Sequence, residues 1–363
     1  MVPGALVALA LAVALSPRPA GLVERVYAGA LYPPLQAALT TASNALPIAV
    51  FDVVLVAAVA GGIWLWLSAV ARARRAREAQ PLLAAARNTA VALAAAYLWF
   101  VAVWGLNYAR PPLEARLGLP AAPASAAEVL ALLDLAVDGA NRLYGAAHVE
   151  RVVPYDVERD IARALHAVEA GLGRPRATVP GRVKPTLLSA YFRMAGVDGL
   201  TAPAVLETLL NPDLTDAERP FVLAHEWAHL SGYAPEADAN FVAWLAAMHA
   251  GADPASRYSG FLFLVSETAA QVPRDARSAS LAHLGAGPRR DLEAIAMRAR
   301  QRVDLVQRVG WRVYDSYLRS QGVREGVVNY SRVVDLIARA SRGSPLRPDG
   351  AGVPQALPPP MPQ

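Results

Sequence analysis

Apolar residues crowd the first 107 positions in three runs, and beyond them they recur at helical spacing among polar ones. Val53 to Ala71, VVLVAAVAGGIWLWLSAVA, carries no charge over 19 residues. At about 1.5 Å per residue such a helix approaches the hydrocarbon thickness of a bilayer, so the run predicts a transmembrane helix. Thr89 to Leu106, TAVALAAAYLWFVAVWGL, predicts a second, with Tyr97, Trp99 and Trp104 suited to the interfacial belt near its far end. The first run, VPGALVALALAVALS before Pro17, is shorter and lacks a basic start. It fits a spanning helix or the apolar part of a signal peptide, and the spanning helix is the preferred reading. These segments, placed at about 3–17, 48–71 and 89–107, define a membrane anchor over residues 1–108, with 18–46 as an external connector.

Between the two longer runs lies ARARRAREAQPLLAAAR, where Arg72, Arg74, Arg75, Arg77 and Arg87 form the largest basic cluster of the chain. The positive-inside rule assigns this loop to the cytoplasm. The last apolar segment then runs outward, and everything after about Asn107 is expected outside the cytoplasmic membrane.

An Ala- and Pro-rich linker over 109–124 leads to a domain expected over 125–342. Ser125 with Glu128 makes a capping-box start for one helix, and the apolar spacing from Asp156 predicts another. Glycines and prolines between Arg176 and Asn211 break this rhythm and point to a few short strands. Helical spacing resumes from Pro220 to about Arg342, interrupted near Gly232, Gly251 and Gly322. The tail 343–363 is low-complexity and Pro-rich, a composition that favours disorder. No internal repeat is present.

Composition narrows the class. Of 363 residues, 55% are hydrophobic and only 18% charged, too apolar for an ordinary soluble globule or a disordered chain. The net charge of +5 rests on scattered arginines, which gives no nucleic-acid surface. Lys184 is the only lysine. With no cysteine, disulfides, thiolate zinc sites and thiol nucleophiles are excluded, so any metal must be held by His and carboxylates.

One stretch offers such ligands. His225-Glu226-Trp227-Ala228-His229 is an HExxH sequence, which sets two imidazoles on one helix face a turn apart, spaced to share one Zn²⁺. Glu226 projects beside them and could take a proton from water. Pro220 suits the first turn of that helix, and Gly232 a left-handed stop. A catalytic zinc has three protein ligands and one open position, and the third is expected at Glu236, on a second helix starting near Pro235. Asp238 is the competing ligand. Asn240, one turn beyond Glu236, is a candidate hydrogen-bond partner for a ligand histidine. His148, His166, His249 and His283 stand alone and read as structural, and Trp227 and Trp244 as core.

GRVKPTLLSAYF (Gly181 to Phe192), HEWAHLSGYAPEADANFVAWLA (His225 to Ala246), VYDSYLRSQGVREGVVNYSRVVDLIARA (Val313 to Ala340) and WGLNYARPPL (Trp104 to Leu113) together resemble a bacterial family, DUF3810. The resemblance implies a membrane-anchored, zincin-like metallopeptidase of the bacterial inner membrane. EADAN (Glu236 to Asn240) is also similar to the ExxAD element of membrane-associated gluzincin peptidases, whose first Glu is a zinc ligand; that likeness maps the ligand to Glu236. Asn240 stands where those peptidases have Asp, and the gap after His229 is shorter. Pro235 occupies the place of the third histidine of metzincins, which removes that alternative.

The expected fold is therefore mainly α, with amino-terminal transmembrane helices followed by a zincin-like α+β metallopeptidase domain with a small sheet. The expected function is hydrolysis of a peptide or protein substrate outside the cytoplasm, with one Zn²⁺ per chain and Glu226 moving the proton. Ala202 to Asn211 is the candidate strand for binding an extended substrate backbone, and Tyr314, Tyr317, Tyr330 or Arg193 the candidate oxyanion donor. The alternatives are a zinc amidase acting on cell-wall peptide and a non-catalytic membrane-tethered scaffold with a structural metal.

Overall fold

The computed structural model describes residues 3–149, 154–249, 252–320 and 332–342. The chain opens with α1 (Pro3–Leu15). A second helical stretch runs from α2 (Ala20–Leu22) through a π-helical segment, Val23–Leu31, into α3 (Tyr32–Asn44). Two long helices follow, α4 (Val50–Ala76) and α5 (Gln80–Val103), and then a 3₁₀ turn at Gly105–Ala109. The remainder comprises α6 (Leu113–Arg116), α7 (Ala126–Val149), α8 (Pro154–Gly171), α9 (Ser189–Ala195), β1 (Gly199–Ala202), β2 (Glu207–Leu210), α10 (Arg219–Leu230) and α11 (Glu236–Met248). It ends in α12 (Pro254–Ala269), α13 (Arg274–Ala282), α14 (Ala286–Ala299), α15 (Asp304–Ser320) and α16 (Arg332–Ala340). The architecture is mainly helical with one two-stranded sheet, as expected.

By length and composition α4 and α5 are each able to cross a membrane, and α1 with the following helical stretch makes a third candidate, bent by 109° at the break. Val53, Val59, Ile63, Trp64 and Leu67 of α4 are all exposed, an arrangement that is stable only if lipid or another apolar surface covers them. The reciprocal bonds of the Ser125–Glu128 capping box are present: the Ser125 amide donates to Glu128 Oε2 at 2.7 Å, and the Glu128 amide to Ser125 Oγ at 3.3 Å.

Residues 18–46 are more than a connector. The stretch from α2 to α3 buries Tyr27, Tyr32, Gln36, Thr40 and Ser43. Tyr32 Oη donates to the Leu230 carbonyl at 2.9 Å, and Thr40 Oγ1 to that of Leu206 at 2.8 Å. The 109–124 stretch is likewise integrated, because Leu113 and Leu117 are buried in the main core. Composition misled here: proline and alanine also suit chain that is held by its side chains rather than by regular backbone bonding.

Between Arg176 and Asn211 lie the expected short strands, two of them paired as a hairpin, together with one helix, α9. β1 and β2 pair antiparallel with Gly199 opposite Leu210 and Ala202 opposite Glu207. β2 also bridges Lys184 through Leu209 on its other side. The interior strand of this small sheet is therefore β2, and β1 is an edge.

α11 is buried at every position, with Trp244 and Phe241 its largest fully buried side chains, so it is the central helix of the domain. At about 1.5–3 kcal/mol for each fully buried large side chain, this helix anchors the core. Packed around it are α8, α10, α12 and α16. The 343–363 tail and the breaks at Gly251 and Gly322 lie outside the described residues.

Candidate metal centre

Pro220 occupies the first turn of α10, where its missing amide costs nothing. Counting on from it, His225 and His229 fall one turn apart on the same face, with ring centroids 4.5 Å apart and planes at 81°. The helix ends at Gly232, whose φ of +83° suits glycine. Its amide returns to the His229 carbonyl at 2.7 Å, and the Tyr233 amide to that of Ala228 at 3.2 Å. The chain thereby reverses, passes Pro235 and enters α11 at Glu236.

This reversal aims the first residue of α11 at the imidazoles. Glu236 Oε2 lies 3.2 Å from His225 Nε2 and 3.6 Å from His229 Nε2. The candidate ligand atoms of the three residues all lie within 4.8 Å of one another, and among the described residues no other His, Asp and Glu group converges in this way. Two imidazole nitrogens and one carboxylate oxygen are a donor set that zinc accepts in catalytic sites.

The electrostatics follow from proximity. Burial disfavours charge on His229, yet the Glu236 carboxylate outweighs it and pushes the imidazole up to about 9. Burial likewise works against the Glu236 carboxylate, and His229 and His225 together hold it well below the usual carboxylate range. His229 Nδ1 lies 2.8 Å from the Tyr233 carbonyl, which turns Nε2 toward Glu236. His225 Nδ1 is buried and has no hydrogen-bond partner.

The end of α5 and the stretch before α4 reach this centre directly. Trp104, at the end of α5, presents an edge-on contact to His229 with centroids 6.1 Å apart. Arg110 donates to the Gly232 carbonyl at 2.9 Å and is paired with Glu24 at 2.7 Å. A Cβ at Gly232 would come within 2.9 Å of Asn107 Oδ1 and 3.0 Å of the Tyr32 ring. The helix-to-helix turn is therefore clamped between the end of α5 and the helical stretch that precedes α4.

Glu226, next to His225 on α10, feels the charge of both histidines and is held from β1. Thr201 Oγ1 bonds both its carbonyl, at 2.8 Å, and its Oε2, at 2.9 Å. Burial raises the Glu226 carboxyl above its ordinary value, although His225 and His229 pull it down. At Gly199 a Cβ would lie 2.4 Å from Glu226 Oε1, so only glycine lets the strand pass this close. Neither Thr201 nor Gly199 carries a local signal in the sequence: their roles arise from pairing across about 25 residues of intervening chain.

The remaining candidates part from the centre. Asp238 is buried among Arg116, Arg332, Glu114 and Arg110, and burial pushes its carboxyl up to about 6 against the pull of the arginines. It is absent from the convergent group. Asn240 is buried one turn beyond Glu236 on α11, but it holds neither histidine: His229 Nδ1 faces Tyr233, and His225 Nδ1 is unpartnered. Arg193, expected as a free oxyanion donor, is engaged instead by Asp213 through bonds of 2.5 and 3.0 Å. Tyr314 and Tyr317 lie on α15, with side chains outside those described, and Tyr330 lies outside the described residues. Among the described residues, the strand against α10 that pairs on one side only is β1, Gly199–Ala202, half-buried at its start and buried at its end, not the expected 202–211 stretch, because β2 pairs on both sides. Trp227 and Trp244 are core residues, as expected.

A family model described as a protein of unknown function (DUF3810) matches residues 27–338. Neither a curated protein nor a solved structure matches the chain.

Proposed function

The chain belongs to the DUF3810 family, and from its metal centre we propose that it is a membrane-anchored zinc metallopeptidase of zincin type, cleaving peptide bonds on the extracytoplasmic side. The observation that carries this reading is the convergence of His225, His229 and Glu236 beside a separately held acid, Glu226. A purely structural zinc is ordinarily closed by four protein ligands, whereas three leave a position open. The three-donor set thus favours catalysis over a scaffold.

In this reading His225, His229 and Glu236 hold the zinc. When bound, it would lower the pKa of water and polarise the scissile carbonyl. Glu226 takes the proton from the attacking water and returns it to the leaving nitrogen. Its raised pKa suits a carboxyl that carries a proton for part of the cycle. Thr201 holds Oε2 and leaves Oε1 to do that work. The side of β1 that does not pair with β2 takes up an extended substrate backbone, which brings a peptide bond over Glu226.

Location follows the anchor. Glu207 of β2 accepts the amides of Val50 and Phe51, at 3.1 and 3.0 Å, so the domain sits at the amino-terminal end of α4. Arg72, Arg74 and Arg75 lie at the opposite end of that helix. With the positive-inside rule, this arrangement supports a metal centre outside the cytoplasm.

The test is the zinc content and turnover of detergent-purified protein against protein, peptide and cell-wall substrates. Wild type should bind about one zinc per chain, Glu236→Ala should lose most of it, and Glu226→Gln should keep the metal and lose turnover. Zinc without turnover on any substrate would favour the scaffold, and cleavage confined to cell-wall peptide would favour the amidase. A wild type that holds no zinc after reconstitution would remove the proposal.

A further inference from the structure

A second membrane contact is written into the domain, away from the metal centre. Tyr191 and Met194 lie three residues apart on one face of α9, and Leu187 sits in the turn that leads into it. Leu187, Tyr191 and Met194 are 72%, 40% and 40% exposed. Beside them runs α15: the Val303 amide donates to the Met194 carbonyl at 2.8 Å, and a Cβ at Gly310 would lie 3.1 Å from Tyr191 Oη. Met194 pairs with the start of α15 and Tyr191 with a later turn, so the two helices are antiparallel neighbours. Val303, Leu305 and Val309 add 45%, 65% and 51% exposure to the same region. Six large apolar side chains on two adjoining elements form a surface that water does not favour.

The level of this surface relative to the bilayer is set by two bonds to the anchor. The Leu187 amide and the Thr186 hydroxyl both donate to Asp52, at 2.7 Å each, in the first turn of α4. Val53 and Val54 follow immediately as exposed apolar residues of the candidate span. On α5, Trp99 donates its indole N–H to the Ala204 carbonyl in the β1–β2 turn at 2.8 Å, and an indole at the end of a span marks headgroup depth. Leu187 and the hairpin turn therefore stand where hydrocarbon gives way to headgroups. Exposed Arg308 and Arg312 on α15 supply the positive charge that anionic headgroups attract.

We infer that α9 and α15 form an interfacial membrane-binding face that lies on the leaflet from which α4 emerges, its apolar residues inserted among the headgroups and its arginines paired with anionic lipid. Only Val197 and Asp198 separate Gly196, at the end of α9, from Gly199, and three steps of extended chain cover at most about 10 Å. A seated α9 thus holds β1 and Glu226 just above the lipid surface and limits how the domain can tilt on its anchor.

Because the chain has no cysteine, single-site labelling is clean. Leu187→Cys and Val309→Cys would each carry an environment-sensitive fluorophore, in full-length protein reconstituted at one chain per nanodisc of phosphatidylcholine and phosphatidylglycerol. Val59→Cys, within the candidate span, and Ser278→Cys, on the exposed face of α13, serve as references. Lipid carrying a headgroup-depth nitroxide should quench the labels at 187 and 309 by roughly half or more, while the label at 278 keeps its emission and remains open to iodide. The result that overturns the inference is iodide access at 187 and 309 equal to that at 278, with Val59→Cys still quenched by lipid. Protection that appears only when two chains share a disc would equally overturn it, in favour of a second copy on this face. If Leu187→Cys fails to fold, the Val309→Cys label decides alone.

Discussion

Lys184 meets Glu207 at 2.6 Å, with both side chains 1% exposed. The only lysine of the chain is therefore spent on a buried ion pair. The same carboxylate accepts from Ser43 Oγ at 2.9 Å and from the amides of Val50 and Phe51, while Lys184 Nζ also donates to Ser43 Oγ at 2.9 Å. A negative charge at the start of a helix satisfies orphan amides and complements the helix dipole. This pair joins three pieces that composition would separate: the stretch before α4, α4 itself and β2 of the hairpin.

Breaking the pair leaves one charge buried without a partner, which typically costs about 3–5 kcal/mol. Glu207→Gln and Lys184→Met should each lower the unfolding temperature in detergent markedly, and the double variant should lose less than the sum. Burial works against the Glu207 charge, but Lys184 and the α4 amides hold its carboxyl below the ordinary value. Its contribution is therefore present above the unfolded carboxylate range and disappears as pH falls through the lower folded value. Unfolding followed between neutral and strongly acid pH should show an acid loss that Glu207→Gln reduces. Equal acid sensitivity in the two proteins would contradict this role.

Thr201→Val keeps the shape of the side chain and removes the donor to Glu226. A hydrogen bond to a charged group is worth about 1.5–3 kcal/mol, so turnover should fall about ten- to hundredfold with zinc content unchanged. Thr201→Ser should restore most of the rate. Unchanged turnover in Thr201→Val would show that Glu226 needs no such support.

Metal uptake should release protons. With His229 pushed up to about 9, its imidazole carries a proton at neutral pH, and a ligand imidazole must give that proton up. Affinity should rise with pH until about 9 and weaken about tenfold per unit below it. Calorimetric titration of zinc at pH 7 in buffers of different ionisation enthalpy reads the released proton directly; a heat independent of buffer would refute the prediction.

Gly232→Ala adds a Cβ at a φ of +83°, against Asn107 and Tyr32. Overpacking and backbone strain of this kind cost roughly 1–3 kcal/mol each. Since this turn aims Glu236 at the histidines, zinc affinity should drop along with stability. A metal titration beside a melting curve would separate the two, and full affinity in a destabilised protein would show that the turn does not set the ligand position.

Much of the candidate site could be read from local pattern. The four-residue spacing of His225 and His229, the proline at one end of their helix and the glycine at the other all act within a few residues, and α10 and the turn after it formed as expected. Glu236 was reachable by the same reasoning because the turn is short. Arg193 and Asn240 were legible only as residue types: Arg193 is engaged by Asp213, twenty residues away in the chain, and Asn240 faces neither histidine nitrogen. Which strand of the hairpin is covered on its far side depends on Lys184, a residue outside the hairpin.

The amino-acid sequence by itself determined the apolar helices, the capping box at Ser125 and the helix–turn–helix run that carries His225, Glu226, His229 and Glu236, because each depends on periodicity or backbone freedom within a few residues. Only the tertiary structure decided that Thr201 and Gly199 border Glu226, that Lys184 and Glu207 tie the hairpin to α4, and that residues 18–46 and 109–124 belong to the core around the metal helix. These relationships join residues from 23 to nearly 200 positions apart, and no local periodicity encodes them. They exist because apolar surface and buried polar groups must find partners somewhere in the folded chain, and only packing selects which ones.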